Sequence, residues 1–148
     1  MEKWQIISIC DLKAFRQKEK SIQNLEERLQ EVKDRCGSVQ AVRYDREPTS
    51  GGGFHSPEDQ WLNDLVLSQE LEAQLRAVRL EVYHIRKTLE ELEPEERTVL
   101  EGFYIDRQPR YIDKLIAKLH LEKSSIYRLK DKALESYVLI AYGATSYH

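Results

Sequence analysis

The sequence predicts an all-α protein, with a long helical hairpin or coiled-coil arm over residues 1–92 and a small helical domain over 93–142. Three observations lead there. Leu71, Leu75, Val78, Val82, Ile85, Leu89 and Leu92 alternate spacings of four and three, an unbroken heptad seam. Ile112, Leu115, Ile116 and Leu119 mark one face of a short helix, and Ile126, Leu129, Ala133, Leu134 and Tyr137 mark one face of the next. Only six glycines and four prolines interrupt 148 residues, and three of those glycines stand together at Gly51-Gly52-Gly53.

Residues 1–10 are apolar and β-branched. Trp4, Ile6, Ile7 and Ile9 either cap a bundle or start the first helix. Asp11 is a candidate N-cap, and the first helix is expected to run from there to about Arg35. Phe15, Ile22, Leu29 and Cys36 recur every seven residues, with Leu25 and Val32 three after two of them and Lys18 as a polar interruption. Gly37-Ser38 marks the end of that helix. A flexible loop of about twenty residues, 37–56, is expected next, centred on Pro48 to Gly53. The glycine run lacks the Gly-Lys-Ser/Thr of a phosphate-binding loop, because Phe54-His55 follows it, so it reads as a connector. Arg43 and Arg46 make a basic arm a minor alternative, diluted by Asp45 and Glu47.

Ser56-Pro57-Glu58-Asp59 is a helix start: a capping Ser, Pro at the first helical position, acids in the first turn. That helix is expected to reach Leu92, roughly 55 Å at about 1.5 Å per residue. Its early part, Trp61, Leu62, Leu65, Val66 and Leu67, is apolar over a broader surface. Glu93-Pro94 breaks or bends it. Pro94 opens the next helix, to about Tyr104, and residues 106–110 connect it to the helix pair. Beyond Tyr137, Val138 to Tyr142 prolong the last helix, and Gly143 to His148 form a frayed tail.

Composition bounds the function classes. No run approaches the roughly 18 apolar residues of a membrane span. The first ten residues are too short and poorly flanked for a secretory signal, so a cytoplasmic protein without membrane partners is expected. Cys10 and Cys36 make neither a disulfide framework nor a zinc site. His55, His84, His120 and His148 are scattered, and no nucleophile–base or metal-ligand spacing stands out. The expectation is a non-enzyme with no cofactor and no metal. Net charge is −3, but unevenly spread: residues 97–136 hold nine basic and six acidic side chains, the first 96 hold 14 and 20. An anionic partner would meet the C-terminal end.

Two short amphipathic helices across a turn at His120-Leu121-Glu122 fit a helix-turn-helix, whose second helix enters the DNA major groove. Residues 92–134 also resemble the fourth conserved region of sigma factors. The resemblance lies in Leu92 to Arg97, Val99-Leu100, the Tyr104-Ile105-Asp106 hinge, Ile116 to Leu119, and Ser124-Ser125-Ile126-Tyr127-Arg128. Ile126 to Leu129 and Lys132-Ala133-Leu134, with Ala41 to Asp45 and the glycine run upstream, are most similar to the phage ArpU/RinA-type late-gene regulators. Two positions depart from the pattern: Arg107 and His120 stand where such proteins usually carry Gly. The resemblance implies a phage or prophage transcriptional regulator acting on double-stranded DNA, with RNA polymerase as a further candidate partner.

With Ile126 and Leu129 facing inward, Ser124 and Arg128 lie on the outer face of the N-terminal half of the last helix. Arg128 suits a bidentate contact to guanine, Ser124 and Ser125 suit base edges or phosphate, and Lys123 suits phosphate at the helix start. Tyr127 suits phosphate or a thymine methyl, and Lys114, Lys118, Lys130 and Lys132 are candidate phosphate clamps. Asp131 and Glu135 point the same way, so the later turns should lift off the DNA. The seam Leu71, Leu75, Val78, Val82, Ile85 and Leu89 is shared in expectation between the first helix and a second copy, giving a homodimer or higher homo-oligomer. Two other functions compete: a DNA-packaging component resembling a small terminase subunit, and a coiled-coil adaptor that binds no DNA.

Overall fold

The computed structural model describes residues 2–43 and 57–144, with the backbone alone for 38–43. The expected loop centre at 48–53, the Ser56 cap, the Arg46 arm and the tail from 145 onward lie outside the described residues. Among the described residues every regular element is helical: α1 Lys3–Arg43, α2 Pro57–Glu91, α3 Pro94–Leu100, a π-helical turn Glu101–Ile105, α4 Tyr111–Leu119 and α5 Lys123–Tyr142. The protein is all-α.

The chain divides into two compact units. One is Lys20–Arg79; the other joins Met1–Glu19 to Leu80–His148 and runs through the 92/93 boundary expected from Pro94.

In the Lys20–Arg79 unit, α1 and α2 run antiparallel. Rising numbers on α1 pair with falling numbers on α2: Glu26 with Arg79, Lys33 with Glu72 at 3.1 Å, Arg35 with Asp64 at 3.2 Å. Leu29 and Val32 are buried with Leu75 and Val78. The heptad seam also continues two positions earlier than its apolar part shows. Ser68 and Asp64 lie three and seven residues before Leu71, and both polar residues are buried. Asp64 Oδ1 accepts from Arg35 and, at 3.3 Å, from Gln60, while its Oδ2 has no partner among the described residues. A buried carboxylate at a seam position costs desolvation unless its partner arrives in register, so it favours the one alignment that brings Arg35 to it.

In the other unit, α3, the π turn, α4 and α5 close around Val99, Leu100, Phe103, Leu115, Ile126, Ala133, Leu134, Tyr137 and Val138, all buried. Leu12 and Phe15 of α1, Val82, Ile85 and Leu89 of α2, and Leu92 just after it are buried in the same unit. Trp4 stacks on Tyr142 with ring centroids 5.0 Å apart, and the Tyr142 hydroxyl donates to Asp11.

Two sequence expectations are corrected. First, α1 begins at Lys3, not Asp11. Ser8, Leu12 and Phe15 are buried, so the turns before Asp11 are held by tertiary contacts and Asp11 serves as a mid-helix acceptor. Second, α1 passes through Gly37 to Arg43. Gly37 has no positive φ, and a mid-helix Gly costs only about 1 kcal/mol relative to Ala. Five of the six residues assigned to self-association, Leu75, Val78, Val82, Ile85 and Leu89, are buried within the single chain, and Leu71 is half-buried.

At Glu93-Pro94 the helix breaks. Glu93 is extended at φ −59°, ψ 145°, as the residue before proline prefers, and α3 starts on Pro94. The next helix stops being α-helical at Leu100. The π turn follows, with the Asp106 amide donating to the Glu101 carbonyl at 2.7 Å. Gly102 sits inside it, and a Cβ there would lie 2.9 Å from a Leu115 methyl. Gly102→Ala should therefore push α4 outward or force Leu115 off its rotamer, at a cost of about 1–3 kcal/mol. Urea denaturation should show that loss, and an unchanged midpoint would refute the close approach.

Candidate nucleic-acid interface

Both helices of the C-terminal pair are set by unusual backbone at their edges. His120 adopts the left-handed conformation, φ 57°, and its amide donates to the Ile116 carbonyl at 2.9 Å, closing α4 as a left-handed C-cap. Arg110 is left-handed as well, φ 59°, at the entry to α4. Arg107 itself has no positive φ. Three residues, His120 to Glu122, separate α4 from α5, and extended Glu122 (ψ 157°) leads into Lys123.

The inner face of α5 is Ile126, Ala133, Leu134, Tyr137 and Val138, all buried. The opposite face carries the candidate contacts. Lys123, Ser124, Tyr127, Arg128 and Lys132 are exposed, as are Lys114 and Lys118 on α4. Among the described residues no carboxylate pairs with Lys118, Lys123, Arg128 or Lys132, whose charges are open to an anion. Asp131 and Glu135 are exposed on the same outer side, so positive charge is concentrated toward the N-terminal half of α5.

Three of the candidates carry structural roles beside any contact role. Tyr127 packs edge-on against Phe103, centroids 5.7 Å apart, leaving 40% of the residue exposed. Lys130 is half-buried, with its ammonium 5.8 Å from the Phe103 ring centre and 2.6 Å from Asp131. Burial works against its charge, but the Asp131 hydrogen bond together with the electrostatic pull of Tyr104, Asp131 and Tyr127 leaves its pKa raised. Lys114 donates to Gln108 Oε1 at 2.7 Å, tying α4 back to its connector. Ser125 is half-buried.

Phe103 is the centre of this region. Tyr104, Tyr111 and Tyr127 surround it at 6.0, 5.2 and 5.7 Å. It lies on the π turn, Tyr111 opens α4 and Tyr127 sits in the first turns of α5, so one ring sets the spacing of all three elements. Burial pushes the Tyr104 phenol up in pKa.

Two features had no sequence signal strong enough to find them. Arg107 lies over the Tyr111 ring at 4.4 Å and donates to its hydroxyl at 3.1 Å, placing a guanidinium at the entry to α4. Arg16 of α1 forks onto Asp106, Nε to Oδ1 at 3.0 Å and a terminal nitrogen to Oδ2 at 2.9 Å. That contact joins residues 90 apart and pins the connector at its start. The Arg16 hydrogen bond holds the Asp106 carboxyl below its ordinary pKa. A depressed carboxylate contributes stability above its unfolded pKa, about 4, and the contribution is lost as pH falls through the folded value. Both side chains are about half exposed, so solvent screening limits the effect to less than about 1 kcal/mol. Asp106→Asn should remove that part of the acid dependence, read from urea midpoints between pH 7 and pH 3; an identical pH profile in the variant would discard the pair as a stabilising contact.

No helix among the described residues is long and apolar enough to cross a membrane, and no cluster of three His, Cys, Asp or Glu side chains is arranged to hold a metal there. Comparison with protein-family models, with curated proteins and with solved structures finds no match for this chain.

Proposed function

We propose that this chain is a sequence-specific DNA-binding transcriptional regulator, of the phage or prophage late-gene class, that reads the major groove with the start of α5. One observation carries the reading. Across a three-residue turn from α4, α5 buries Ile126 and presents Ser124, Arg128 and Lys132 outward, with both cations free of carboxylate partners among the described residues. That is the layout a helix-turn-helix uses, with α4 crossing the backbone and α5 in the groove. Lys123 at the helix start and Lys114 and Lys118 on α4 supply phosphate contacts, joined by Arg107 and Arg110 on the connector. The resemblance of residues 92–134 to sigma region 4 supports the same reading and makes RNA polymerase a candidate partner. Two copies on one site would offset the modest positive charge of a single reader through effective concentration.

The test is fluorescence anisotropy with duplexes tiled across the intergenic DNA beside the coding region, over a salt series. Tight binding to one tile, weakening steeply with salt, is the expected result. Equal binding to every tile would point to packaging or non-specific function, and absence of binding at low salt would refute the DNA reading and favour an adaptor.

A further inference from the structure

Burial sets one carboxyl apart from the others in the C-terminal helices. Glu96 stands in the first turn of α3 and is 6% exposed. Its Oε2 has no hydrogen-bond partner among the described residues. Taking a carboxyl out of water without a partner costs free energy, so folded proteins seldom leave one unanswered. The neighbouring donors on α3 are used elsewhere. Arg97 is turned to Glu101 at 2.9 Å, and the Thr98 hydroxyl donates to the Pro94 carbonyl at 2.8 Å.

Glu96 lines a recess of about 560 Å³ between the start of α3 and the middle of α5, together with Glu93, Pro94, Glu95, Leu129 and Lys132. All six residues belong to one compact unit. Glu93 and Glu95 are exposed, and among the described residues no cation pairs with either or with Glu96. The recess therefore sets three carboxyls against the single ammonium of Lys132, which forms no ion pair with them. Leu129, half-buried, and Pro94 give it an apolar wall. Those two features together select a ligand chemistry. Carboxyls held apart from their own cations favour a positively charged head that can donate hydrogen bonds, and an apolar wall beside them favours a hydrocarbon stem behind that head. A bare metal ion fits less well, because no group of three His, Cys, Asp or Glu side chains among the described residues is arranged to hold one.

We propose that the recess between α3 and α5 binds a linear alkyl cation, with a guanidinium or ammonium head on Glu96 and its stem along Leu129 and Pro94. Arginine and lysine side chains of a polypeptide carry that group, and so do free alkylamines. Glu93 and Glu95 draw the cation in, and Lys132 opposes it. The site stands apart from the DNA reading, with which it shares Lys132 alone.

The test is titration of the isotope-labelled full chain with n-butylguanidinium, followed by nuclear magnetic resonance at the Glu96 amide and the Leu129 methyls. Both should shift and saturate. n-Butylurea, neutral and nearly the same shape, should shift neither. Glu96→Gln keeps the volume and loses the charge, so it should weaken binding by about ten-fold or more, as loss of a hydrogen bond to a charged group does. Glu93→Gln with Glu95→Gln alters only exposed side chains and should weaken binding several-fold with the amide spectrum otherwise unchanged. Lys132→Ala should tighten it. A capped Gly-Arg-Gly peptide that binds more tightly than n-butylguanidinium assigns the site to a polypeptide side chain; one that binds more weakly assigns it to a free alkylamine. No saturable shift in the parent, equal binding of n-butylurea, or unchanged binding in Glu96→Gln would each overturn the proposal. Should Glu96→Gln fail to fold, parent-like binding in the Glu93, Glu95 double variant overturns it instead. DNA binding is not measured, so this result and that of the tiled duplexes fail independently.

Discussion

Phe103→Ala should destabilise the C-terminal helices by about 3–5 kcal/mol, the usual cost of removing a buried aromatic ring. Phe103 is 7% exposed and touches Tyr104, Tyr111 and Tyr127 while lying under the Lys130 ammonium. Its removal empties the space between the π turn, α4 and α5 at once, and three tyrosines that bridge polar surface and core cannot collapse into it together. Phe103→Leu keeps most of the volume and loses the edge-to-face contacts, worth about 0.5–1.5 kcal/mol for an aromatic pair. It should fall between parent and Ala. Thermal or urea unfolding followed by near-ultraviolet circular dichroism measures both, since tyrosine packing is what changes. Equal stabilities for Phe103→Leu and Phe103→Ala would mean that the ring's volume is not what positions the helices.

Arg128→Ala should cost about 1–3 kcal/mol of discrimination at one base pair, roughly a five- to 150-fold loss on the preferred duplex. Two facts favour this position over the lysines around it. It is exposed on the outer face of the first turns of α5, and its guanidinium is not committed to a carboxylate among the described residues. Lys130, by contrast, is already engaged with Asp131 and Phe103. Lys123→Ala should behave differently, weakening every duplex alike and lowering the salt slope by about one ion. Anisotropy titrations of both variants against the preferred tile and a scrambled duplex separate the two roles. If Arg128→Ala loses the same factor on both duplexes, Arg128 contacts phosphate and α5 does not read bases through it.

The acidic side chains on α5 explain why the contact should be confined to its start. Asp131 and Glu135 share the outer side with Arg128, one and two turns further along. An approach that brought the whole helix into the groove would press two carboxylates against phosphate. The geometry instead suits insertion of the first two turns, with the apolar residues Leu139 and Ile140 left outside the groove.

How much of this was legible from residues alone divides along the range of the interactions involved. The helices themselves, the break at Glu93-Pro94, and the inward faces of α2, α4 and α5 follow from periodicity and proline geometry, which act over a few residues. The left-handed conformation of His120 does not follow, since a non-Gly residue takes it only at a cost and the sequence shows only that Gly is missing there. The outer face of α5 follows from its inner face. What the sequence by itself could not determine were matters of partnership. Asp11 and Gly37 look like helix ends locally, yet α1 starts before Asp11, where Ser8, Leu12 and Phe15 are buried, and runs past Gly37, where a mid-helix Gly costs only about 1 kcal/mol. The heptad seam is equally suited to a neighbouring helix of the same chain or of another; within Lys20–Arg79 the antiparallel return of α1, registered by Asp64 and Arg35, buries Leu75 and Val78. The π turn, Gly102 against Leu115, and the Arg16–Asp106 fork bring together residues far apart in the chain, and no local pattern encodes them. The tertiary structure decides such features because their free energy comes from packing and charge pairing with partners that only the folded chain brings within reach.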